Sequence, residues 1–375
     1  MKFIAERDSL VDAVNWVSKS ISNRPITTAL LGIVIDVSDE ITLSGSDLES
    51  STKAVFKAEI NQKGKVLVPG KLLAEISRSL PNKPITFNLE GTKVLVSAAS
   101  AKFTLPTLSL TEYPNLPQVP PSSGSLKSDL FTTAVNQVAV AAGKDDSLPT
   151  LTGVFVEINK NQLTLAATDR YRLAVRELNW SAVDVNVAAT ALIRARTIAD
   201  AAKSLISTSN INISLAPNTS NEKLVGFVSD GKTMTSRVLD GSFPPFRHLL
   251  PNESTSQAII EVEPFLDSVR RVALVTDKTV PLRLAFSNNT LQLEAGTGDE
   301  AQASEKIDIN YKGEDINIAF NPTFLTDGLI AIGTPFVHIS FTGANKPAVL
   351  TGQNEATGAQ ITNYKYLLMP MRYSS

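Results

Sequence analysis

Lys71-Leu72-Leu73-Ala74-Glu75-Ile76-Ser77-Arg78-Ser79-Leu80 is echoed by Arg196-Thr197-Ile198-Ala199-Asp200-Ala201-Ala202-Lys203-Ser204-Leu205. It returns more faintly as Thr323-Phe324-Leu325-Thr326-Asp327-Gly328-Leu329-Ile330-Ala331-Ile332. Each copy carries an apolar residue, an acid two positions on, and an apolar residue five beyond that: Leu73, Glu75 and Leu80, then Ile198, Asp200 and Leu205, then Leu325, Asp327 and Ile332. Leu73 falls on Ile198 and Ile198 on Leu325, so the spacing is 125 and then 127 residues. A period of that length is a duplicated domain, because solenoid units repeat every 20–50 residues or so.

Two further segments recur in the same order. Leu10 to Val17 matches Phe131 to Val138 and Phe265 to Val272, with apolar residues at i, i+4 and i+7, one face of an amphipathic helix. Ile41-Thr42-Leu43-Ser44-Gly45-Ser46-Asp47 returns as Leu163 to Asp169 and as Leu291 to Thr297. These alternate apolar and polar, the pattern of half-buried strands. The second helix of each copy leads into another alternating strand: Ile85 to Leu89, Ile211 to Leu215, and Val337 to Phe341. Loops rich in Pro, Ser and Asn separate the copies, Tyr113 to Gly124 and Phe243 to Ser256, and both begin at an aromatic–Pro pair. The pattern predicts three α+β domains, at 1–120, 125–248 and 253–375.

The 375-residue length suits that count, and 43% hydrophobic residues suffice for three ordinary cores. No apolar run approaches the ~20 residues that span a bilayer, and Met1 to Arg7 has no signal-peptide core. There is no cysteine, hence no disulfide or thiolate metal site. A soluble cytoplasmic protein with no membrane association is expected. The net charge of −2 argues against a tight nucleic-acid grip over the whole surface.

Catalytic chemistry finds no foothold. His248 and His338, the two histidines, have no partner at metal-ligand spacing and read as structural or surface residues. Phosphate-cradling glycine loops and nucleophile elbows are missing. Asp145-Asp146 and Asp299-Glu300 sit in turn-like contexts and read as solvated loops. No catalytic residue, cofactor or metal is expected. Arg7, Lys19, Lys71, Arg78, Arg194, Arg196, Lys203, Arg270 and Arg271 fall on or beside the repeated helices, interleaved with acids. They read either as solvated helix faces or as weak, sequence-blind contacts to phosphate.

Four segments in order along the repeat resemble the bacterial DNA polymerase III beta subunit, the sliding-clamp family: Val68-Pro69-Gly70-Lys71-Leu72-Leu73, Thr168-Asp169-Arg170-Tyr171-Arg172-Leu173-Ala174, Phe243-Pro244-Pro245-Phe246-Arg247, and Tyr366-Leu367-Leu368-Met369-Pro370-Met371-Arg372. The resemblance covers the whole chain. It implies three copies of one α+β clamp domain. Two protomers would close head to tail into a ring, helices inside and sheets outside. Such a homodimer encircles double-stranded DNA without reading its sequence and is associated with the nucleoid. It tethers the replicative polymerase for processive synthesis. It needs no catalytic residue, and its phosphate contacts must be weak to permit sliding. Arg24 matches a DNA-contacting arginine of the family, although by itself it reads as an exposed loop arginine before Pro25; Arg7, Arg78, Arg196 and Lys203 are the further candidates.

The resemblance also implies a pocket between the second and third domains for short linear motifs of the DNA polymerase III alpha subunit, the clamp loader, other polymerases and repair proteins. By matching positions its lining is Leu151, Thr168, Arg172, Leu173, Pro244, Leu249, Leu367, Met369, Pro370, Met371 and Arg372. Apolar and Met side chains suit a groove that accepts varied partners. The sequence departs from the family at Arg170-Tyr171, where a Gly-His pair is frequent. Ring closure would bring Phe103 and Leu105 against Leu274 and Val275, and Lys71 and Lys102 towards Asp299, Glu300 and Glu305. Two readings compete with the clamp: a monomeric tandem-repeat binding scaffold without a ring, and an enzyme with a site between repeats.

Overall fold

A computed structural model describes the chain except residues 23–25, 217–222, 252, 277–279, 297–300 and 373–375. Among the described residues are six α-helices: α1 (Arg7–Val17), α2 (Gly70–Ser79), α3 (Ser128–Ala139), α4 (Ala195–Leu205), α5 (Val262–Val272) and α6 (Pro322–Ile332). Each of the six helical segments expected from the repeat lies in one of them, save that Leu80 follows the end of α2. The i, i+4, i+7 residues of α1, α3 and α5 (Leu10, Val14, Val17; Phe131, Val135, Val138; Phe265, Val269, Val272) are all 2% exposed or less. Burying side chains of this size stabilises by roughly 1.5–3 kcal/mol each, which is why the pattern survives triplication.

The faintest copy, α6, has the most explicit boundaries. Asn321 accepts hydrogen bonds from the amides of Thr323 and Phe324, Pro322 opens the first turn, and Gly333 ends the helix with φ 67°. Gly328 lets α6 lie directly on Tyr366: a Cβ there would sit 2.5 Å from the ring.

All three repeats follow one order: a strand, a helix, five strands, a helix, three strands. The chain nevertheless divides into two compact units, not three. The first comprises Met1–Thr132, Trp180–Ile193 and Thr197–Val238; the second comprises Thr133–Asn179, Arg194–Arg196 and Leu239–Ser375. The division cuts through the middle repeat, because its sheets are shared with its neighbours.

In the first unit a nine-stranded sheet runs across two repeats. Gly64–Pro69, Gly32–Val37, Ile41–Ser46 and Ser50–Phe56 come from repeat one. Lys232–Arg237, Leu224–Ser229, Asn210–Leu215, Gly124–Lys127 and Ser181–Ala182 follow from repeat two. The seam is the antiparallel pairing of Ser50–Phe56 with Lys232–Arg237, from Lys232 opposite Ala54 to Ser236 opposite Ser50. The second unit repeats the device: Arg172–Asn179 of repeat two pairs with Gln360–Leu368 of repeat three, from Arg172 opposite Leu368 to Arg176 opposite Tyr364. In both seams the last strand of one repeat pairs with the third of the five middle strands of the repeat before it.

The two remaining strands of those kinds lie at sheet edges. Ala101–Pro106 ends the five-stranded sheet of repeat one, and Ala303–Asp308 ends the four-stranded sheet of repeat three. Both carry exposed residues along their length.

His338 belongs to the packing of the second unit, consistent with a structural role. It is 7% exposed; its Nδ1 accepts from Gln360 Nε2 at 3.2 Å, and its Nε2 lies 3.3 Å from Gln257 Oε1. Burial holds the imidazole below its ordinary value of 6.5. Below pH 6.5 the unfolded chain therefore takes up a proton that the folded chain refuses. Stability is complete above that value and declines as the pH falls through the interval beneath it. His338→Gln is expected to flatten the pH dependence of urea unfolding in this interval; an unchanged slope would remove His338 as its source.

Candidate docking site

The second seam carries a buried apolar cluster on one face, and Tyr171, Leu249 and Met369 on the surrounding segments are exposed. Leu173 and Leu367, paired across the seam, cluster with Ala166, Val175, Val349 and Phe246. The linker that starts at Phe243 lies over them. Phe155 and Phe243 stack at 5.2 Å, and Phe246 meets both edge-on at 6.1 and 5.9 Å. Such pairs add about 0.5–1.5 kcal/mol each beyond burial, enough to fix the path of the linker. Arg247 covers the Phe246 ring and pairs with Glu157. These aromatics and Val349 form most of the floor; only the Phe243-Pro244-Pro245-Phe246 motif signalled them in the sequence.

A tight turn leads into the seam strand. Asp169 Oδ1 accepts the amides of Tyr171 and Arg172, while Thr168 Oγ1 donates to the Arg172 carbonyl and accepts from the Arg170 amide. Arg170 takes φ 81°, a conformation that costs a side-chain-bearing residue energy, where the related pattern often has glycine. Its guanidinium lies over the Tyr171 ring, and Tyr171 stacks at 6.3 Å on Phe324. The carboxyl-terminal tail is strapped alongside: the Met369 amide donates to the Tyr171 carbonyl and the Met371 amide to the Ala319 carbonyl.

The expected lining residues divide into three kinds. Leu173 and Leu367 are floor, and Leu151 is buried in the short helix Pro149–Leu151. Pro244, Leu249, Met369 and Arg372 are exposed; Thr168, Pro370 and Met371 are half-buried. Arg172 stands apart from the others. Strand alternation turns it to the opposite face from Leu173, under α6. There its Nη1 donates to Asp327 Oδ2 at 2.6 Å and to Tyr366 Oη at 3.3 Å, its Nε donates to Asp169 Oδ2 at 3.0 Å, and it stacks on Phe324. Burial disfavours its charge, but Tyr366, Asp327 and Asp169 more than offset this and hold the guanidinium above its ordinary range. Its guanidinium is committed to Asp169, Asp327 and Tyr366 within the chain.

The candidate DNA contacts fare unevenly. Arg24 lies outside the described residues. Arg7 is committed elsewhere: its Nε donates to the Leu80 carbonyl and its Nη2 to the Arg78 carbonyl, completing the end of α2. Arg78, Arg196 and Lys203 are exposed, with Arg78 Nε donating to Asn15 Oδ1. Lys19 donates to Ser204; burial lowers its ammonium, opposed by Asp200 and helped by Lys203 and Lys232.

Of the expected ring contacts, Asp299 and Glu300 lie outside the described residues. Lys71 and Lys102 are exposed, Phe103 and Val275 half-buried, and Leu274 is 84% exposed. Leu105 corrects the expectation: it is 0% exposed, opposite buried Val94, and belongs to the core of its own sheet. Glu305 is held by Arg271 Nη2 at 2.5 Å and Ser268 Oγ at 2.7 Å, and the Arg271 hydrogen bond keeps its carboxyl below the usual range.

Three domains of one kind, sharing sheets through two seams of the same strand pairing, have the architecture of a DNA sliding clamp, a non-catalytic processivity factor, and the chain's relatives bear this out. Family models for the N-terminal, central and C-terminal domains of the DNA polymerase III beta subunit match residues 1–117, 125–245 and 247–372. The beta sliding clamp of Streptomyces coelicolor is 45% identical over 375 residues, covering all of both chains. The solved sliding clamp of Bacillus subtilis superimposes with a TM-score of 0.91 at 25% identity over all of both chains. The Pseudomonas aeruginosa clamp bound to griselimycin gives the same score, identity and coverage. The chain belongs to the DNA polymerase III beta subunit family.

Proposed function

We propose that two copies of this chain close head to tail into a ring around double-stranded DNA and hold the replicative polymerase there. The observation that carries this is the pair of uncovered strands. Ala101–Pro106 and Ala303–Asp308 are the counterparts of strands that pair at the two internal seams, so the same antiparallel pairing between chains completes the series. Exposed edges invite such pairing. A heterologous contact of this kind closes when the rotation per repeat is right. The scaffold reading without a ring leaves both edges open.

The domains of this ring are residues 1–120, 125–248 and 253–375. Exposed Arg78, Arg196 and Lys203, with Arg24, supply weak phosphate contact. The protein works in the cytoplasm, on the nucleoid. The apolar surface around Leu173, Leu367, Pro244, Leu249 and Met369 takes short linear motifs of the DNA polymerase III alpha subunit, the clamp loader and repair proteins.

In solution the species is expected at twice the 40.2 kDa chain mass. Once loaded, it should stay on circular duplex and run off linear duplex with open ends; equal loss from both would remove the topological mechanism. Deleting residues 369–375 is expected to abolish binding of a clamp-binding peptide while leaving the dimer intact, because Met369 and Met371 are strapped to the Tyr171 and Ala319 carbonyls and to neither Ala101–Pro106 nor Ala303–Asp308. Unchanged peptide affinity in that truncation would place the docking site elsewhere.

A further inference from the structure

The first seam is built on the same plan as the second. Asp47 Oδ1 accepts the amides of Glu49 and Ser50, as Asp169 does those of Tyr171 and Arg172. Ser46 Oγ donates to the Ser50 carbonyl and accepts from the Leu48 amide, as Thr168 does in the second turn. Leu48 takes φ 76° where Arg170 takes 81°. Ser51 opposite Thr235 then stands where Leu173 stands opposite Leu367, and Lys53 stands where Val175 does. A linker beginning at an aromatic–Pro pair crosses each floor, from Tyr113 here and from Phe243 there.

The chemistry is inverted. Here the floor is hydroxyls and lysines, and the linker roofs a cavity of about 660 Å³, within the usual range for ligand sites. Gly226 admits the roof: a Cβ there would stand 2.5 Å from Val119, whose side chain occupies that space. Lys53 is exposed, and Lys65 Nζ lies 3.1 Å from Asp36, leaving the lysines in excess by one charge. The Tyr113 hydroxyl is buried without a hydrogen-bond partner among the described residues, and such a group costs about 1–3 kcal/mol. Packing alone would be served by a phenylalanine, as at Phe243. Burial pushes the Tyr113 phenol up, so it remains a donor at neutral pH.

We propose that this cavity is a second docking site, which takes an extended segment of a partner protein carrying an acidic side chain. The carboxylate is received by Lys53, and by the Tyr113, Ser51 and Thr235 hydroxyls, buried in the free protein, once the segment has displaced the linker roof, whose Pro114 and Leu116 then cover its apolar part. The proposal stands on this floor and roof and does not depend on what the second seam binds.

The test uses the full-length protein and fluorescein-labelled Ala-Asp-Asp-Pro-Leu, blocked at its carboxyl end, read by anisotropy. Binding is expected, with about tenfold loss on changing both aspartates to asparagine and about tenfold loss in Lys53→Ala, each removing a charge-assisted hydrogen bond. Tyr113→Phe should weaken binding to a similar degree while its thermal midpoint stays level or rises, since it deletes a group that lacks a partner. A purely structural tyrosine would show the reverse. Deleting residues 369–375 should leave this binding unchanged. No binding at millimolar peptide, equal affinity for the asparagine peptide, loss on the tail deletion, or full competition by equimolar succinate would each overturn the proposal, the last by assigning the cavity to a free carboxylate ion.

Discussion

Arg172→Met is expected to destabilise the second unit by about 3 kcal/mol, the lower end of the range for removing one member of a buried ion pair. The arginine is 4% exposed and serves Asp169, Asp327, Tyr366 and Phe324 together. Methionine fills the volume but leaves two carboxylates without their cation; Asp327 is 31% exposed, which tempers the cost. Amide exchange should accelerate across the ladder from Arg172–Leu368 to Arg176–Tyr364, where the seam is joined. Adding Asp327→Asn should recover part of the loss, because an amide tolerates the missing charge. A single variant within 1 kcal/mol or so of the parent would mean that this network contributes specificity without stability. Peptide docking should weaken in parallel, through the turn that Arg172 helps to hold rather than through any contact of its own.

Leu274→Asp is expected to weaken the dimer by about 2 kcal/mol, roughly thirtyfold in dissociation constant, with no loss of fold. Leu274 is 84% exposed on the short helix Ala273–Val275 that follows α5, so the isolated chain has little to lose. Between chains, a carboxylate would be desolvated without a partner. Sedimentation across a concentration series reads the constant directly, and a value unchanged from the parent would take Leu274 out of the interface. Leu105→Ala makes the contrasting control. That side chain is 0% exposed, so its truncation should cost about 2–5 kcal/mol of core stability, with any dimer loss following from a disordered edge.

Leu274 is 84% exposed and Leu105 buried, although both read as apolar in the sequence, and that contrast marks where sequence reading stops. Helices and strands were legible because periodicity reports burial within one element: Leu10, Val14 and Val17 announce α1 without reference to anything distant. The seams were not legible. The pairing of Thr235 with Ser51 spans most of two repeats, and no local pattern encodes which sheet edge a strand joins. The intramolecular partners of Arg7 and Arg172 were hidden for a related reason. A cation on an amphipathic element reads as solvated, yet Arg7 reaches two carbonyls at the end of α2 and Arg172 turns under α6. Positional matching supplied the list of pocket residues, but only strand alternation separates Leu173, on the floor, from Arg172, beneath it.

The edge strands Ala101–Pro106 and Ala303–Asp308 also bear on the life of the newly made chain. Until it meets a second copy, each molecule displays two adhesive ends of opposite kind. Molecules that join without closing would grow as fibrils. If the proposed ring forms, a cell making this protein gains from prompt dimerisation in a way unrelated to replication: closure would hide both edges, and the protomer would be the species that quality control must watch.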